Sequence, residues 1–307
     1  MKKNQQQICI AVLLTCYNRK TLTLSCIEHV IKAREQYNKK NINILKLDFY
    51  LTDDNCSDGT ADAVSNLLKN EDLTIIKADG HAYWAGGMRL AWKCALDSKI
   101  YDFFLLLNDD TDVWENLFYE LLEAHEYALK EYGKHGIYSG NTTEKNNHTK
   151  ITFGGKVKKG IFFKKYVRLF PNGIPQRCDI VNANILLVSN QVVEKIGIFP
   201  YCYNHGAADN DYGHRANKNG FPVLITSNFC GGCDADNYDV DKECSMLRQL
   251  KLRERIKYFN TPIKSIHDTL EFTKRWRLFH IPSIIIVHAI HIFYPNLYCK
   301  LYKLRKK

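Results

Sequence analysis

The feature that most constrains the fold is a pattern repeated through the first third of the chain: a short unbroken apolar run, a polar cluster, then apolar residues at helical spacing. Ile8-Cys9-Ile10-Ala11-Val12-Leu13-Leu14 ends at Thr15-Cys16-Tyr17-Asn18-Arg19, and Thr21 to Tyr37 follows with Leu22, Cys26, Val30 and Ala33 along one stripe. Leu45 to Thr52 runs into Asp53-Asp54-Asn55-Cys56-Ser57-Asp58-Gly59-Thr60, a dense set of capping residues ahead of a helix from Ala61 to Lys69. Leu73 to Lys77 leads to Ala82-Tyr83-Trp84-Ala85-Gly86-Gly87-Met88-Arg89, which opens a helix reaching Ser98. Phe103-Phe104-Leu105-Leu106-Leu107 then stops at Asn108-Asp109-Asp110. Apolar runs without alternation suit strands buried on both faces. Strand-helix alternation at this spacing predicts an α/β fold with a doubly wound, mostly parallel sheet flanked by helices. Ligands of such sheets bind beyond the carboxyl ends of the strands, where every one of these polar clusters falls.

The middle of the chain is less regular. Ser139 to Lys150 is polar and Asn-rich, and Ile151 to Leu169 alternates like a hairpin or flap. Ile180 to Val188 reads as another strand and Gln191 to Ile196 as a short helix. Asn204 to Gly220 is polar first and helical later, with Asp209-Asn210-Asp211 at its centre, and Phe221 to Ser227 reads as the last core strand. No internal repeat is present.

With 307 residues, 45% hydrophobic and 25% charged, the chain can bury one large core and carry a distinct tail. The net charge of +10 calls for an anionic partner: nucleic acid, a phosphorylated small molecule or an acidic membrane surface. The excess is concentrated late, in Lys251, Arg253, Arg255 and Lys257, then Lys274, Arg275 and Arg277, then Lys300, Lys303, Arg305, Lys306 and Lys307. A boundary is therefore expected after residue 233, with residues 234–307 forming a basic, helical C-terminal tail. Arg277 to Tyr294 is apolar in part but broken by Pro282 and three histidines, and it is short for a bilayer span. Two readings stay open for it: an amphipathic segment lying on a membrane, or a helix buried against the core.

Eleven cysteines at irregular spacing, with no secretory signal at the start, fit reduced thiols and a cytoplasmic location. Cys230-Gly-Gly-Cys233 has no second pair at zinc spacing.

The chemistry begins at Asn108-Asp109-Asp110. A buried strand that stops at a tight group of carboxylates brings oxygen ligands together on a hard cation such as Mg2+ or Mn2+, which usually takes a phosphate partner. Gly86 and Gly87 remove side chains where backbone must approach a ligand, and a helix opening there favours negative charge. Arg89 is placed to reach a phosphate or to form a surface ion pair.

These pieces together resemble the family 2 glycosyltransferases, the inverting sugar transferases with the GT-A fold. The likeness covers Ile8 to Cys233 and rests on Leu14 to Arg19, Thr52 to Thr60, Trp84 to Arg89, Leu107 to Asp110, and Asp209-Asn210-Asp211 with Arg215 and Gly220. The glycine-rich piece and the spacing are most similar to the rhamnosyltransferase-like branch that builds bacterial surface polysaccharides.

The resemblance implies that residues 1–233 form the nucleotide-sugar-binding and catalytic domain, with the tail meeting acceptor or membrane. It implies that Thr15, Tyr17, Asn18, Asp54, Trp84, Gly86, Gly87, Arg89, Asn108 and Asp109 bind the nucleotide sugar, with Asp54 accepting from the base edge and Asp109 near the ribose or sugar. Asn108 and Asp110 occupy the outer places of the family's D-x-D motif, so Asp110 is expected as the direct metal ligand and Asn108, an Asn where the family has Asp, as a second. An inverting transfer needs one carboxylate to take the acceptor's proton. Asp209 is expected as that base, with Asp211 the alternate, although Ala208 stands where relatives carry Glu. Relatives also place a His after the last core strand, and this chain has Cys230 and Cys233 there. His205 and His214 stay outside the metal set.

The implied activity is metal-dependent transfer of a sugar from a nucleoside diphosphate sugar to a glycan, lipid-linked, at the cytoplasmic membrane face. A nucleotidyltransferase activating a sugar phosphate is the alternative within the fold, but Thr15-Cys16-Tyr17-Asn18 is not its basic Gly-rich loop. A nucleic-acid-binding protein is suggested by charge alone, so nucleic acid is not expected as a partner. A dinucleotide-dependent dehydrogenase lacks its G-x-G-x-x-G at the first turn.

Overall fold

A computed structural model of the chain describes residues 7–160, 165–235 and 240–306. The chain divides into two compact units, one of Met1–Phe199 with Asp209–Ala235 and the other of Pro200–Ala208 with Asp236–Lys307. The second unit thus takes in a short piece, residues 200–208, that lies before the boundary drawn from composition.

In the first unit the expected alternation is present: β1 (Gln7–Cys16), α1 (Lys20–Lys40), β2 (Ile44–Asp53), α2 (Thr60–Leu67), β3 (Asp72–Lys77), α3 (Tyr83–Ser98) and β4 (Phe103–Leu107). After them come β5 (Asp112–Val113), α4 (Leu117–Tyr132), β6 (Ile137–Glu144), β7 (Asn147–Phe153), β8 (Gly155–Lys159), β9 (Lys165–Arg168), β10 (Gln176–Arg177), β11 (Ile180–Val181), β12 (Ile185–Ser189), α5 (Asn190–Ile196), α6 (Ala208–Lys218) and β13 (Val223–Gly232).

Among the described residues the main sheet runs β10-β13-β6-β12-β4-β1-β2-β3, with β5 on β13 and β7 on β6. From β4 to β3 all neighbours are parallel. β12 then enters antiparallel to both β4 and β6. The central strands read as continuous apolar runs because both faces are covered: Ile10 to Leu14 and Phe104 to Leu107 are fully buried.

α4 buries Leu117, Phe118, Leu121, Leu122, Ala124 and Ala128. Two readings of the middle are corrected. The polar stretch from Ser139 forms the buried strand β6, because its side chains find partners. Asn141 Nδ2 donates to the Thr226 carbonyl at 3.1 Å, Thr142 and Thr152 hydroxyls pair at 2.9 Å, and the Ser139 hydroxyl donates to the Asn182 carbonyl at 3.1 Å. Residues 180–188 are two strands, since Asn182-Ala183-Asn184 breaks the run. β11 joins a small sheet ordered β11-β8-β9, and β12 joins the large one. Part of the expected flap over Ile151 to Leu169 is this small sheet; residues 161–164 lie outside those described.

The second unit contains α7 (Val240–Gln249), α8 (Leu252–Phe259), α9 (His267–Trp276), α10 (Ile281–Phe293) and α11 (Pro295–Lys306). Its thiols depart from the expectation of uniform reduction: Cys244 and Cys299 form a disulfide between α7 and α11, whose packing brings them together, while the other nine cysteines are free. Glu243 gathers the Tyr258 hydroxyl at 2.7 Å, the Lys264 ammonium at 3.0 Å and His291 Nε2 at 3.3 Å. The carboxylate of Asp268 accepts the backbone N–H groups of Asn204, His205 and Gly206, which keeps it below the usual carboxyl range against the cost of burial. α10 buries only His291. Ile285, Ile286, Val287 and Phe293 are exposed. Among the described residues no helix is long and apolar enough to cross a membrane. Lys307 lies outside them.

Candidate active site

The buried strand β4 delivers Asn108-Asp109-Asp110 into a tight turn. The Thr111 N–H returns to the Asn108 carbonyl at 3.2 Å, and the Asn108 N–H donates to the Asn184 carbonyl at 3.1 Å. Asn108 Oδ1 accepts the Trp84 indole N–H at 2.8 Å. Asn108, expected as a second metal ligand, also braces Trp84, and its Oδ1 keeps a second lone pair.

Asp109, expected near the ribose or sugar, is turned inward. Its Oδ1 lies 3.1 Å from Arg19 Nη1, and its Oδ2 accepts the Thr23 hydroxyl at 3.3 Å. Asp110 is the more accessible carboxylate, with Oδ2 3.0 Å from the same Arg19 nitrogen and Oδ1 3.6 Å from Cys233 Sγ. Burial pushes Asp109 up to about 6; Arg19 opposes this, and the neighbouring Asp110 adds to it. Two carboxylates that already share one cationic nitrogen fit a hard divalent cation, with Asp110 the donor best placed for it.

The loops beside this turn carry the expected nucleotide residues. Asn18, Asn55 and Tyr83 all adopt positive φ (51°, 64° and 51°), a conformation non-glycine residues rarely take and one that clusters at ligand sites. Asn18 Oδ1 accepts the Ser57 N–H at 2.8 Å, tying the loop after β1 to the loop after β2. Tyr17 beside it is exposed. Thr15 faces α3: a Cβ on Gly87 would stand 2.1 Å from the Thr15 hydroxyl oxygen, so Gly87 lets the helix lie directly on β1. Arg89 folds back over Gly86, its Nη2 3.5 Å from where a Cβ would be.

Asp54 is expected to meet a base edge. In the chain by itself its carboxylate accepts the N–H groups of Gly80 (2.9 Å), Ala82 (3.1 Å) and Tyr83 (3.0 Å), and it is 4% exposed. It holds the turn that opens α3. Trp84 on that turn packs against Phe199, which also meets Trp92 and Tyr212.

The later acidic pair separates clearly. Asp211 is fully buried in α6, whereas Asp209 at its start is half-buried. Asp209 Oδ2 accepts the Ala183 N–H at 3.1 Å, and Oδ1 accepts the Asn210 N–H at 2.7 Å. Burial pushes the Asp209 carboxyl up; the bonds from Asn210, Ala183 and the Asn182 side chain, with the charge of Lys156 on β8, pull it down.

Asn182-Ala183-Asn184 links the two acidic groups. Ala183 binds Asp209, the Asn184 carbonyl binds the Asn108 N–H, and Asn184 Nδ2 lies 3.4 Å from Cys233 Sγ, which in turn meets Asp110. Cys233 therefore stands beside the Asn108-Asp109-Asp110 turn, its thiol pushed up to about 12 by burial and Asp110. His214 is elsewhere engaged, its Nε2 2.6 Å from the Tyr166 hydroxyl. Arg19, Thr23, Asn182, Asn184, Lys156 and Cys233 were missing from the sequence-derived site. The polar break inside residues 180–188 was a readable signal for the Asn pair, and Cys233 stands where the resemblance placed a His after the last core strand; nothing local in sequence singles out Lys156.

The fold is similar to that of two solved glycosyltransferases. One is the mannosyltransferase PcManGT from Pyrobaculum calidifontis in complex with GDP-Man and Mn2+, at 13% identity and TM-score 0.52, covering 97% of this chain and 79% of that one. The other is TarS 1-349 of S. aureus in complex with UDP-GlcNAc, at 11% identity and TM-score 0.51, covering 87% of this chain and 71% of that one. No curated protein sequence matches the chain. The mostly parallel sheet flanked by helices is thus the GT-A glycosyltransferase fold. Residues 11–181, more than half of the chain, match the model Glycosyl transferase family 2, and the chain belongs to that family.

Proposed function

We propose that this protein is an inverting, metal-dependent glycosyltransferase that moves a sugar from a nucleoside diphosphate sugar to a hydroxyl of a lipid-linked glycan, in the building of bacterial surface polysaccharide. The observation that carries the reading is the Asn182-Ala183-Asn184 linker, which joins the carboxylate of Asp209 to the turn bearing Asp110. A base for the acceptor and a site for the leaving diphosphate belong in one pocket.

Asp209 takes the proton of the attacking hydroxyl at one of its carboxylate oxygens, its affinity for that proton raised by burial. Asp211, fully buried, is the less accessible of the two carboxylates. Asp110 holds Mg2+ or Mn2+, and Asp109 orients Arg19 beside it. The ion, when bound, neutralises charge developing on the diphosphate. Exposed Tyr17 offers a face for the base to stack on, Asn18 and Thr15 shape that wall, and Trp84, Gly86, Gly87 and Arg89 line the diphosphate side. The donors GDP-Man and UDP-GlcNAc of the two structural neighbours, and the Mn2+ of one, support this assignment.

Exposed apolar residues of the second unit support the further reading of a peripheral place at the cytoplasmic membrane face. Leu278 and Phe279 are 60% and 97% exposed, and with Ile285, Ile286 and Val287 they form an uncovered apolar stretch flanked by Arg277 and Lys300. The test is transfer from a panel of nucleoside diphosphate sugars with Mn2+ and a lipid-linked acceptor. Asp209→Asn should bind donor as the wild type does and lose about 100-fold or more in turnover. Failure of the wild type to bind or turn over any donor contradicts the reading.

A further inference from the structure

The ends of β1 and β2 hold a cluster that sugar transfer does not use. Cys16 Sγ and Cys56 Sγ stand 3.7 Å apart across 40 residues of sequence, and with a carboxylate oxygen of Asp53 these donor atoms all lie within 4.8 Å of one another. We propose that Cys16, Cys56 and Asp53 form a binding site for a thiophilic divalent cation of the Zn2+ type, separate from the hard-cation site at Asp110.

The spacing suits such an ion. Two sulfurs each about 2.3 Å from one tetrahedral centre stand about 3.8 Å apart, and these two already have that separation without movement of backbone. The donor set selects the metal: two thiolates and a carboxylate favour Zn2+, whereas Mg2+ and Mn2+ take oxygen. Three protein donors leave one tetrahedral position for water or another ligand.

The surrounding contacts are those that support a ligand set. The Asn18 N–H donates to Cys56 Sγ at 3.2 Å, the Cys56 N–H to Asp53 Oδ1 at 2.8 Å, and the Lys77 ammonium to Asp53 Oδ2 at 2.5 Å. Each carboxylate oxygen keeps a lone pair for the ion. The charges also balance, because the three negative donors meet the two charges of the ion and the one of Lys77. Cys16 and Asp53 are almost fully buried, so the site is a feature of the interior strand ends and not a chance surface pairing. Without metal, burial pushes both thiols up, with Cys56 adding to this at Cys16 and Asp53 at Cys56, and loading releases their protons. A bound ion would tie the end of β1 to the loop after β2, fixing the segment that carries Tyr17 and Asn18.

The test uses the full chain, reduced with a phosphine and titrated with Co2+ as a spectroscopic stand-in for Zn2+. The expected result is thiolate-to-cobalt charge-transfer absorption saturating at one equivalent per chain and displaced by Zn2+. It should vanish in Cys16→Ser and Cys56→Ser and persist in Cys233→Ser and Asp110→Ala. Alkylation of the wild type, read by mass spectrometry, gives an answer that needs no variant: Zn2+ should slow modification of Cys56 and leave that of Cys94 unchanged. No charge-transfer band, a band that survives Cys16→Ser, or Cys56 reacting equally fast with and without Zn2+ would overturn the proposal.

Discussion

Arg19 and Asp110 form an ion pair of 3.0 Å at the turn where the diphosphate is expected, and the same guanidinium nitrogen reaches Asp109 at 3.1 Å. One arginine thus occupies, in the chain by itself, the place between carboxylates that a divalent cation would share.

Removing that competitor should favour the ion. Arg19→Gln is expected to bind Mn2+ in the absence of nucleotide roughly 3- to 10-fold more tightly than the wild type, the range for a partly exposed ion pair worth about 1 kcal/mol. Electron paramagnetic resonance of free Mn2+ measures it directly, and equal or weaker binding would count against the shared position.

The pH dependence of turnover should report Asp209. Because burial raises its carboxyl above the ordinary 3.8, turnover should rise with pH along a limb whose midpoint lies above that value. The charge of Lys156 pulls Asp209 down, so Lys156→Gln should move the limb to higher pH by a fraction of a unit. A limb that stays in place or moves to lower pH would show that Lys156 does not act on the base.

Gly86 and Gly87 are adjacent and should respond oppositely. Gly87→Ala drives a methyl to 2.1 Å from the Thr15 hydroxyl oxygen and 2.8 Å from Thr15 Cβ, and should cost about 1–3 kcal/mol in denaturant unfolding. Gly86→Ala meets its nearest atom, Arg89 Nη2, only at 3.5 Å, and should leave stability unchanged or raised while altering donor affinity.

His125 and His214 set an acid limit on the fold. Burial holds both down to about 4, against an ordinary 6.5, so the unfolded chain binds their protons first as pH falls. Stability is therefore lost between pH 6.5 and about 4 on their account. His125→Phe should flatten that slope in thermal unfolding, although it also forfeits the 2.9 Å bond to the Tyr138 hydroxyl.

The parallel half of the sheet was legible because strands buried on both faces are unbroken apolar runs, as in Leu105-Leu106-Leu107, and their polar ends mark the ligand side. β6 was not, since it is built of buried polar residues, and the partners of Ser139 and Asn141, Asn182 and Thr226, lie far away in sequence. α4 carries a readable helical period in Leu117, Leu121, Ala124 and Ala128. Within the site, Asp110 and Asp209 stood out by motif. What could not be read was direction: Asp54 binds three backbone amides, Asp109 turns to Arg19 and Thr23, and Asn108 braces Trp84. Each depends on which way a side chain leaves a turn, and that is set by neighbours tens of residues distant.

Calorimetric titration of the wild type and Asp110→Ala with UDP, GDP and dTDP, with and without Mn2+, tests the central claim most directly. The account predicts Mn2+-dependent binding of one nucleotide by the wild type and its loss in the variant, with the fold unchanged by circular dichroism. Nucleotide binding that is indifferent to Mn2+ and to Asp110, or no binding of any of the three, would contradict it.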